Sequence, residues 1–194
     1  MRYASREIAL GVDNMAARVA SVHRSLVHEF SKDLAPSIRL LVGLGVDGDA
    51  HLGKTVQHRS RVAVDPRQPN LRQVHLIHRE LLIELESEGF KVGPGRLGEN
   101  VLTEGIDLLD LPRGTILELG QEAAIEVTGL RSPCKQLNEI DSTLLPRLAF
   151  RDDFGNLVRL AGIMAVVLRE GNVSAGDAIQ IILPEKPHEN LVPV

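Results

Sequence analysis

The chain has 194 residues, of which 43% are hydrophobic and 25% are charged, as in an average soluble globular protein. A net charge of −4 argues against a general nucleic-acid binder, because such proteins depend on surplus lysine and arginine. The single cysteine, Cys134, excludes disulfide-stapled scaffolds and structural zinc sites, which need several thiols. With no tryptophan, one tyrosine and four phenylalanines, the core is expected to consist of valine, isoleucine, leucine and alanine.

No segment approaches the roughly 20 apolar residues of a transmembrane helix, so we expect no membrane span. The first ten residues include Arg2, Arg6 and Glu7 and lack the continuous apolar run of a secretory signal. These features predict a cytoplasmic protein. Met15 is an alternative start of translation, directly before the first strand-like run.

Short β-branched runs bounded by glycine, proline, asparagine and aspartate predict a strand-rich fold. The predicted strands are Arg18–Val22, Ser37–Val42, Val62–Val64, Asn100–Thr103, Thr115–Leu119, Ala123–Thr128, Gly162–Leu168 and Ala178–Leu183. In the sixth of these, Ala124, Glu126 and Thr128 alternate with Ile125 and Val127, which predicts one solvent-facing side.

Apolar residues recur at helical spacing from Val74 to Glu88, which predicts an amphipathic helix. His75 and His78 lie on this helix without a third partner, so structural or solvated roles are predicted for them. A weaker helix is predicted from Ser142 to Phe150, interrupted by Pro146. Strands and helices do not alternate regularly. The predicted fold is therefore mainly β, a closed or nearly closed β-barrel with one or two helical inserts.

One domain is predicted over residues 18–185, because no linker, internal repeat or low-complexity segment divides the chain. Residues 1–17 are predicted to be an extension outside this domain. Residues 186–194 are polar and contain proline, which predicts a flexible C-terminal tail.

Cys134 directly follows a predicted strand. Pro133 restricts Ser132 to extended backbone, which places the thiol at a strand end, where functional sites commonly lie. Arg131 and Lys135 flank the thiol with positive charge, which favours the reactive thiolate. The alternative is a buried, unreactive cysteine beside solvated charges.

A glycine-rich segment, Gly43 to Gly53, follows the second predicted strand. Its glycines allow a tight turn and offer amide N–H groups to an anion. Asp47, Asp49 and His51 add acid, base or metal-ligand groups, and together they could hold a divalent ion. The same alternation suits the wet face of an extended turn, and the glycine spacing is wrong for a P-loop.

A third segment, Gly95 to Asn100, combines two glycines with charged and amide side chains. Small residues around Arg96, Glu99 and Asn100 could bring these side chains against a polar ligand. The alternative is a β-turn with charged tips.

In identity and order, these segments resemble the MOSC domain, a module found at the C-terminus of molybdenum-cofactor sulfurases and as stand-alone bacterial proteins. The resemblance extends over most of the chain. The segments that carry it are Val19–Lys32, Gly45–Gly53, Gly95–Gly105, Leu111–Thr115, Arg131–Cys134, Gly162–Val167 and Gly171–Asp177. The resemblance implies a barrel of MOSC type with its site around the cysteine.

The resemblance also implies that Cys134 either ligates molybdenum in a bound pterin cofactor or carries sulfur to a metal–sulfur centre. A soft thiolate suits both roles. Because molybdopterin carries a phosphate, Lys32, Arg96 and Arg131 are predicted to anchor it. The other predicted pocket residues are Asp49, His51, Glu99 and Asn100.

Three functions are compatible with these residues. The first is a molybdenum-cofactor enzyme that reduces N-hydroxylated compounds with an outside reductase, and the several charged pocket candidates favour it. The second is a sulfur carrier whose Cys134 accepts a persulfide from a partner desulfurase. Pyridoxal phosphate would then belong to that partner, because these 194 residues leave no room for an aminotransferase-like domain. The third is a non-catalytic module that binds a pterin or another phosphorylated ligand.

Overall fold

The computed structural model describes residues 16–57 and 62–194. Residues 1–15 of the predicted extension, including the alternative start at Met15, lie outside the described residues. Within the described ranges, no helix is long and apolar enough to cross a membrane.

The fold is mainly β, with thirteen strands in the described residues and two α-helices that lie wholly within them. The strands are β1 (Arg18–Arg24), β2 (Asp33–Ala35), β3 (Ser37–Leu41), β4 (Gly45–Val46), β5 (Val74–His78), β6 (Val101–Glu104), β7 (Ile116–Leu119), β8 (Ala123–Leu130), β9 (Ala149–Arg151), β10 (Leu157–Arg159), β11 (Ile163–Arg169), β12 (Gly171–Ser174) and β13 (Ile179–Ile182). The helices are α1 (Arg79–Ser87) and α2 (Leu144–Leu148), with short 3₁₀ helices at Leu108–Asp110 and Lys135–Glu139.

Eight strands form the main sheet, in the order β13-β7-β8-β11-β5-β6-β1-β2. A three-stranded sheet, β12-β3-β4, and the hairpin of β9 and β10 complete the fold. No sheet of the described residues closes on itself, so the predicted closed barrel is not confirmed. An isolated bridge joins Arg18 of β1 to Ala178, just before β13. Further along β1, the edge that carries this bridge pairs with β2 over Val22–Arg24. β1 and β13 therefore do not pair along their length, as closure of the sheet into a barrel would require.

The segment predicted as one helix, Val74 to Glu88, begins as strand β5, and α1 begins only at Arg79. β5 lies between β11 and β6, and both Leu76 and Ile77 are fully buried. A strand covered on both faces loses its alternation, so its apolar run cannot be distinguished from a helix by period. β5 pairs in parallel with β6 across α1, which makes one β-α-β crossover that was not predicted.

Two short segments differ from what their residue types indicate. Val62–Val64, predicted as a strand, is helical or turn in the described structure. The N–H of Arg67 donates to the carboxylate of Asp65 just beyond it, which is typical of a turn. Conversely, Gly171–Ser174 carries turn-type residues yet forms β12 and pairs with β3.

Strand β8 does not have its predicted wet face. Ala124 and Thr128 are buried, and Glu126 is partly exposed. The Thr128 hydroxyl lies 2.7 Å from the carbonyl of Leu71 and 2.9 Å from that of Met164, so its polar group is satisfied inside the protein. β8 is therefore an interior strand that leads into the cysteine-containing loop.

The core consists of two clusters of buried aliphatic side chains. The larger cluster includes residues of β1, β3, β5, β8 and β11. The smaller contains Leu81, Leu82 and Leu85 of α1 together with Leu144 and Leu148 of α2. All buried members are valine, isoleucine, leucine or alanine, which confirms the predicted core composition.

The C-terminal tail returns to the strand before the cysteine. The N–H of Leu130 donates to the carbonyl of Val192 at 2.9 Å, and the N–H of Val194 donates to the carbonyl of Leu130 at 3.3 Å. Arg72 Nη1 also donates to the carbonyl of Val194, at 3.0 Å. The tail therefore packs along the end of β8.

Candidate functional site

The loop after β8 carries the predicted thiol. The N–H of Arg131 donates to the carbonyl of Gly162 at 3.0 Å, which ties the loop to the start of β11. The carbonyl of Cys134 accepts from the N–H of Leu137 at 3.1 Å, at the start of a 3₁₀ helix. Cys134 is half-buried, and its Sγ lies 3.5 Å from Oε1 of Gln136. The backbone thus fixes a thiol that solvent can still reach.

This loop borders a cavity of about 760 Å³, part of it open to solvent. Five of the eight predicted site residues line it. These are Lys32, His51, Asn100, Arg131 and Cys134. They come from four separate stretches of the chain, and the fold gathers them around one space.

Asp49 lies behind the cavity wall and joins three of its residues. Its buried carboxylate forms a salt bridge with the buried Nζ of Lys32. Oδ2 accepts from Asn100 Nδ2 at 3.1 Å, and Oδ1 lies 3.1 Å from His51 Nδ1. Burial alone would raise the pKa of Asp49, but the His51 hydrogen bond and the Lys32 charge outweigh burial and hold this pKa below its usual range. Asp49 is therefore a fixed negative charge beneath the cavity.

Arg131 is the second buried cation of the wall. Its guanidinium carbon lies 5.3 Å from the ring centroid of Phe30, and its Nη1 has no hydrogen-bond partner among the described residues. Burial lowers the pKa of Arg131, and the charges of Cys134 and Glu99 oppose that change. A buried donor without an acceptor is costly unless a ligand supplies one. This arrangement favours an anionic group in the cavity.

Three predicted charged residues stand apart from the cavity. Glu99 is fully buried, its Oε1 accepts from the N–H of Gly95, and its Oε2 has no partner in the described part of the chain. Arg96 is exposed, and its backbone carbonyl accepts from Ser31 Oγ at 3.2 Å. Lys135, predicted to flank the thiol, is exposed as well. The structure brings neither of the two exposed cations into the cavity wall.

The cavity also contains residues that sequence reasoning did not select. His75 lies on β5 instead of a helix, and its Nε2 is 2.8 Å from the carbonyl of Ala161. Burial and the charge of Arg131 lower the pKa of His75 well below its usual value, so the ring is neutral. Further polar wall residues are Gln57, Asn70, Arg72 and Gln136. They are scattered through loops, and no spacing pattern identifies them.

The divalent-ion site considered for the glycine-rich segment is not formed. Asp47 is exposed, whereas Asp49 is buried behind the cavity. Over residues 16–57 and 62–194, no group of three or more histidine, cysteine, aspartate or glutamate side chains is arranged to hold a metal ion. A metal bound by the Cys134 thiol would need its other ligands from a cofactor.

The buried carboxyl of Glu99 is expected to make stability depend on pH. Burial raises the pKa of Glu99 from 4.5 to about 7. The stability that the protonated Glu99 carboxyl contributes is therefore fully present below pH 4.5 and is lost as the pH rises through about 7. The free energy of unfolding of Glu99→Gln minus that of the wild type should therefore rise by about 2 to 3 kcal/mol between about pH 5 and about pH 8.5. Urea denaturation at each pH measures this difference.

His23 titrates in the opposite direction. Burial and the charge of Lys32 lower the pKa of His23 to about 4, so its contribution is present above pH 6.5 and lost as the pH falls through about 4. This contribution is common to the wild type and Glu99→Gln and largely cancels in their difference. Glu139→Gln, at an exposed position, is the control. A pH-independent difference for Glu99→Gln would contradict the prediction.

A family model described as the MOSC domain matches residues 47–180, which is more than half of the chain. The chain belongs to the MOSC domain family. The matched part contains Asp49, Asn100, Arg131 and Cys134 of this MOSC domain. Lys32 lies before it and reaches the same cavity through the fold. The family is associated with molybdenum-cofactor binding.

Solved structures share the fold of this MOSC domain at low sequence identity. YuaD from Bacillus subtilis is 24% identical, with a TM-score of 0.70 over 88% of this chain and 98% of its own. YiiM from Escherichia coli is 23% identical, with a TM-score of 0.58 over 90% and 73%. YiiM from Geobacillus stearothermophilus is 16% identical, with a TM-score of 0.61 over 90% and 79%. No curated protein matches the chain.

Proposed function

We propose that this MOSC chain binds a molybdenum cofactor through Cys134 and reduces N-hydroxylated compounds with electrons from a separate reductase. The observation that carries the proposal is the half-buried thiol that shares one cavity with the buried Arg131, whose Nη1 has no hydrogen-bond partner among the described residues. A soft thiolate suits molybdenum, and a buried guanidinium with a spare donor suits the phosphate of a pterin cofactor. The thiolate would bind the metal of such a ligand, and the guanidinium would bind its phosphate.

The rest of the cavity fits the same cofactor. The side-chain amides of Gln57 and Gln136 can donate and accept hydrogen bonds, as the edges of a pterin require, whereas the Asn70 amide is held by the backbone of His51, Gly53 and Arg72. When bound, the cofactor supplies a metal that changes oxidation state and passes electrons to the substrate.

The chain's own residues bind and orient the ligands. Arg131 places a buried positive charge at the wall, which favours an anion there, whereas the charge of Lys32 is balanced by its ion pair with Asp49. His75 stays neutral and donates Nε2–H to a backbone carbonyl. Its ring therefore forms part of the cavity wall without adding a charge to it. Cys134 presents its sulfur from a loop fixed by backbone hydrogen bonds.

Metal analysis tests the proposal directly. Protein expressed in cells with intact cofactor synthesis should contain molybdenum and pterin, and Cys134→Ala should lose molybdenum roughly tenfold or more, because its protein ligand is gone. Elemental analysis and pterin fluorescence after dialysis measure both contents. Lys135→Ala, an exposed neighbour outside the cavity, is the matched control and should keep the wild-type content. Absence of molybdenum from both the wild type and Cys134→Ala would overturn the proposal.

Sulfur transfer is the second candidate, because the same thiol lines the cavity and is only half-buried. In this case Cys134 would accept a persulfide sulfur from a pyridoxal-phosphate-dependent desulfurase and deliver it to a cofactor or cluster. Incubation with such a desulfurase and cysteine should add about 32 Da at Cys134 in mass spectra. An adduct on protein that binds no molybdenum would favour the carrier. A thiol that remains unmodified would exclude it.

A further inference from the structure

Asp49 and His51 form a hydrogen-bonded pair at the cavity wall. Asp49 Oδ1 lies 3.1 Å from His51 Nδ1 and accepts from the His51 backbone N–H at 2.9 Å. The salt bridge with Lys32 keeps the carboxylate ionised. Because an ionised carboxylate only accepts, His51 Nδ1 must carry a proton in this pair. Proton exchange by the ring then takes place at Nε2.

The pair is held in place from several sides. Asn100 Nδ2 donates to Asp49 Oδ2 at 3.1 Å, and the N–H of Ser25 approaches the same oxygen at 3.4 Å. The ring of His28 meets that of His51 edge to face, with centroids 5.1 Å apart. The carboxylate is almost wholly buried, whereas the His51 side chain is 31% exposed and lines the cavity. This is the geometry of an orienting acid and an accessible proton carrier.

We propose that His51, oriented by Asp49, donates the proton that the leaving oxygen of an N-hydroxylated substrate requires, an inference that rests on the function proposed above. In R–NH–OH the N–O bond breaks and takes up two electrons, which the reductase would supply and the cofactor, when bound, would pass on. The oxygen takes a proton from His51 Nε2 and leaves as water. The nitrogen takes a second proton from solvent, which gives R–NH₂, and solvent also reprotonates His51.

The other titratable side chains of the wall are less suited to this role. His75 is neutral, and its Nε2–H is engaged by a backbone carbonyl. Lys32 is committed to its buried ion pair, and the guanidinium groups of Arg72 and Arg131 do not release a proton in the accessible pH range. Glu29 lies at the exposed rim. His51 joins an orienting carboxylate to exposure in the cavity.

The first test uses His51→Gln loaded with cofactor, benzamidoxime as substrate and reduced methyl viologen as electron donor. We expect kcat to fall about 100-fold or more, with KM and molybdenum content within about twofold of the wild type. Imidazole added to His51→Gly should restore part of kcat. His188→Gln, at an exposed position in the tail, should leave kcat unchanged.

The second readout needs no cofactor. In ¹⁵N NMR spectra of cofactor-free protein, the neutral ring of His51 should carry its proton on Nδ1. A proton on Nε2, unchanged kcat in loaded His51→Gln, or loss of molybdenum from that variant would each overturn the role of His51. Absence of molybdenum from the wild type would instead overturn the proposed function itself, so the two failures are distinguishable.

Discussion

Asp49→Ala is expected to lower the free energy of unfolding by about 3 to 5 kcal/mol, because it leaves the charge of Lys32 buried without its partner. The side chain of Lys32 is only 5% exposed, and that of Asp49 is only 3% exposed. The variant also removes the acceptor for Asn100 and His51, whose donors then lose their hydrogen bonds. Urea denaturation followed by circular dichroism measures the loss, since the chain has no tryptophan for fluorescence.

An exposed ion pair supplies the control. Arg39 and Glu170 lie 3.6 Å apart with both side chains more than half exposed, so Glu170→Ala should cost less than about 0.5 kcal/mol. The double variant Lys32→Met, Asp49→Asn should recover part of the loss, because it leaves no unpaired buried charge. If Asp49→Ala costs no more than Glu170→Ala, then the pair does not hold the cavity wall together.

The strands that sequence predicted well are those with clear boundaries. Thr115–Leu119 and Gly162–Leu168 match β7 and β11 to within one residue at each end. Prediction failed at Leu76 and Ile77, since burial on both faces removes the alternation that identifies a strand. Whether the sheet closes into a barrel could not be predicted from the sequence either. Closure depends on the pairing of edge strands that lie far apart in the chain.

Sequence supplied the chemistry of the candidate site better than its geometry. Arg131 and Cys134 lie in one short motif after a strand, and both reach the cavity. Arg96 and Lys32 are equivalent cations by composition, yet one is exposed and the other is buried against Asp49. Only the fold separates them, because the Lys32–Asp49 contact joins two segments that no local pattern relates.

Gly95 connects these segments, and Gly95→Ala is expected to lower the free energy of unfolding by about 3 kcal/mol. Gly95 has a φ of +80°, where alanine costs about 1 to 2 kcal/mol. A Cβ there would overlap the carbonyl oxygen of Lys32 and lie 3.1 Å from His23 Cδ2, which adds about 1 to 3 kcal/mol. The Lys32 backbone cannot easily move aside, because its N–H donates to the Gly95 carbonyl at 2.9 Å.

Gly89→Ala separates the two causes. Gly89 has a φ of +97° and open space around its Cβ position, so this variant should show the backbone cost alone. The stability difference between the two variants, measured by urea denaturation, is then the cost of the overlap with Lys32. Since that overlap displaces a cation of the cavity, Gly95→Ala should also reduce molybdenum content, and Gly89→Ala should not. Equal stability losses with equal molybdenum contents would show that the packing of Gly95 does not position Lys32.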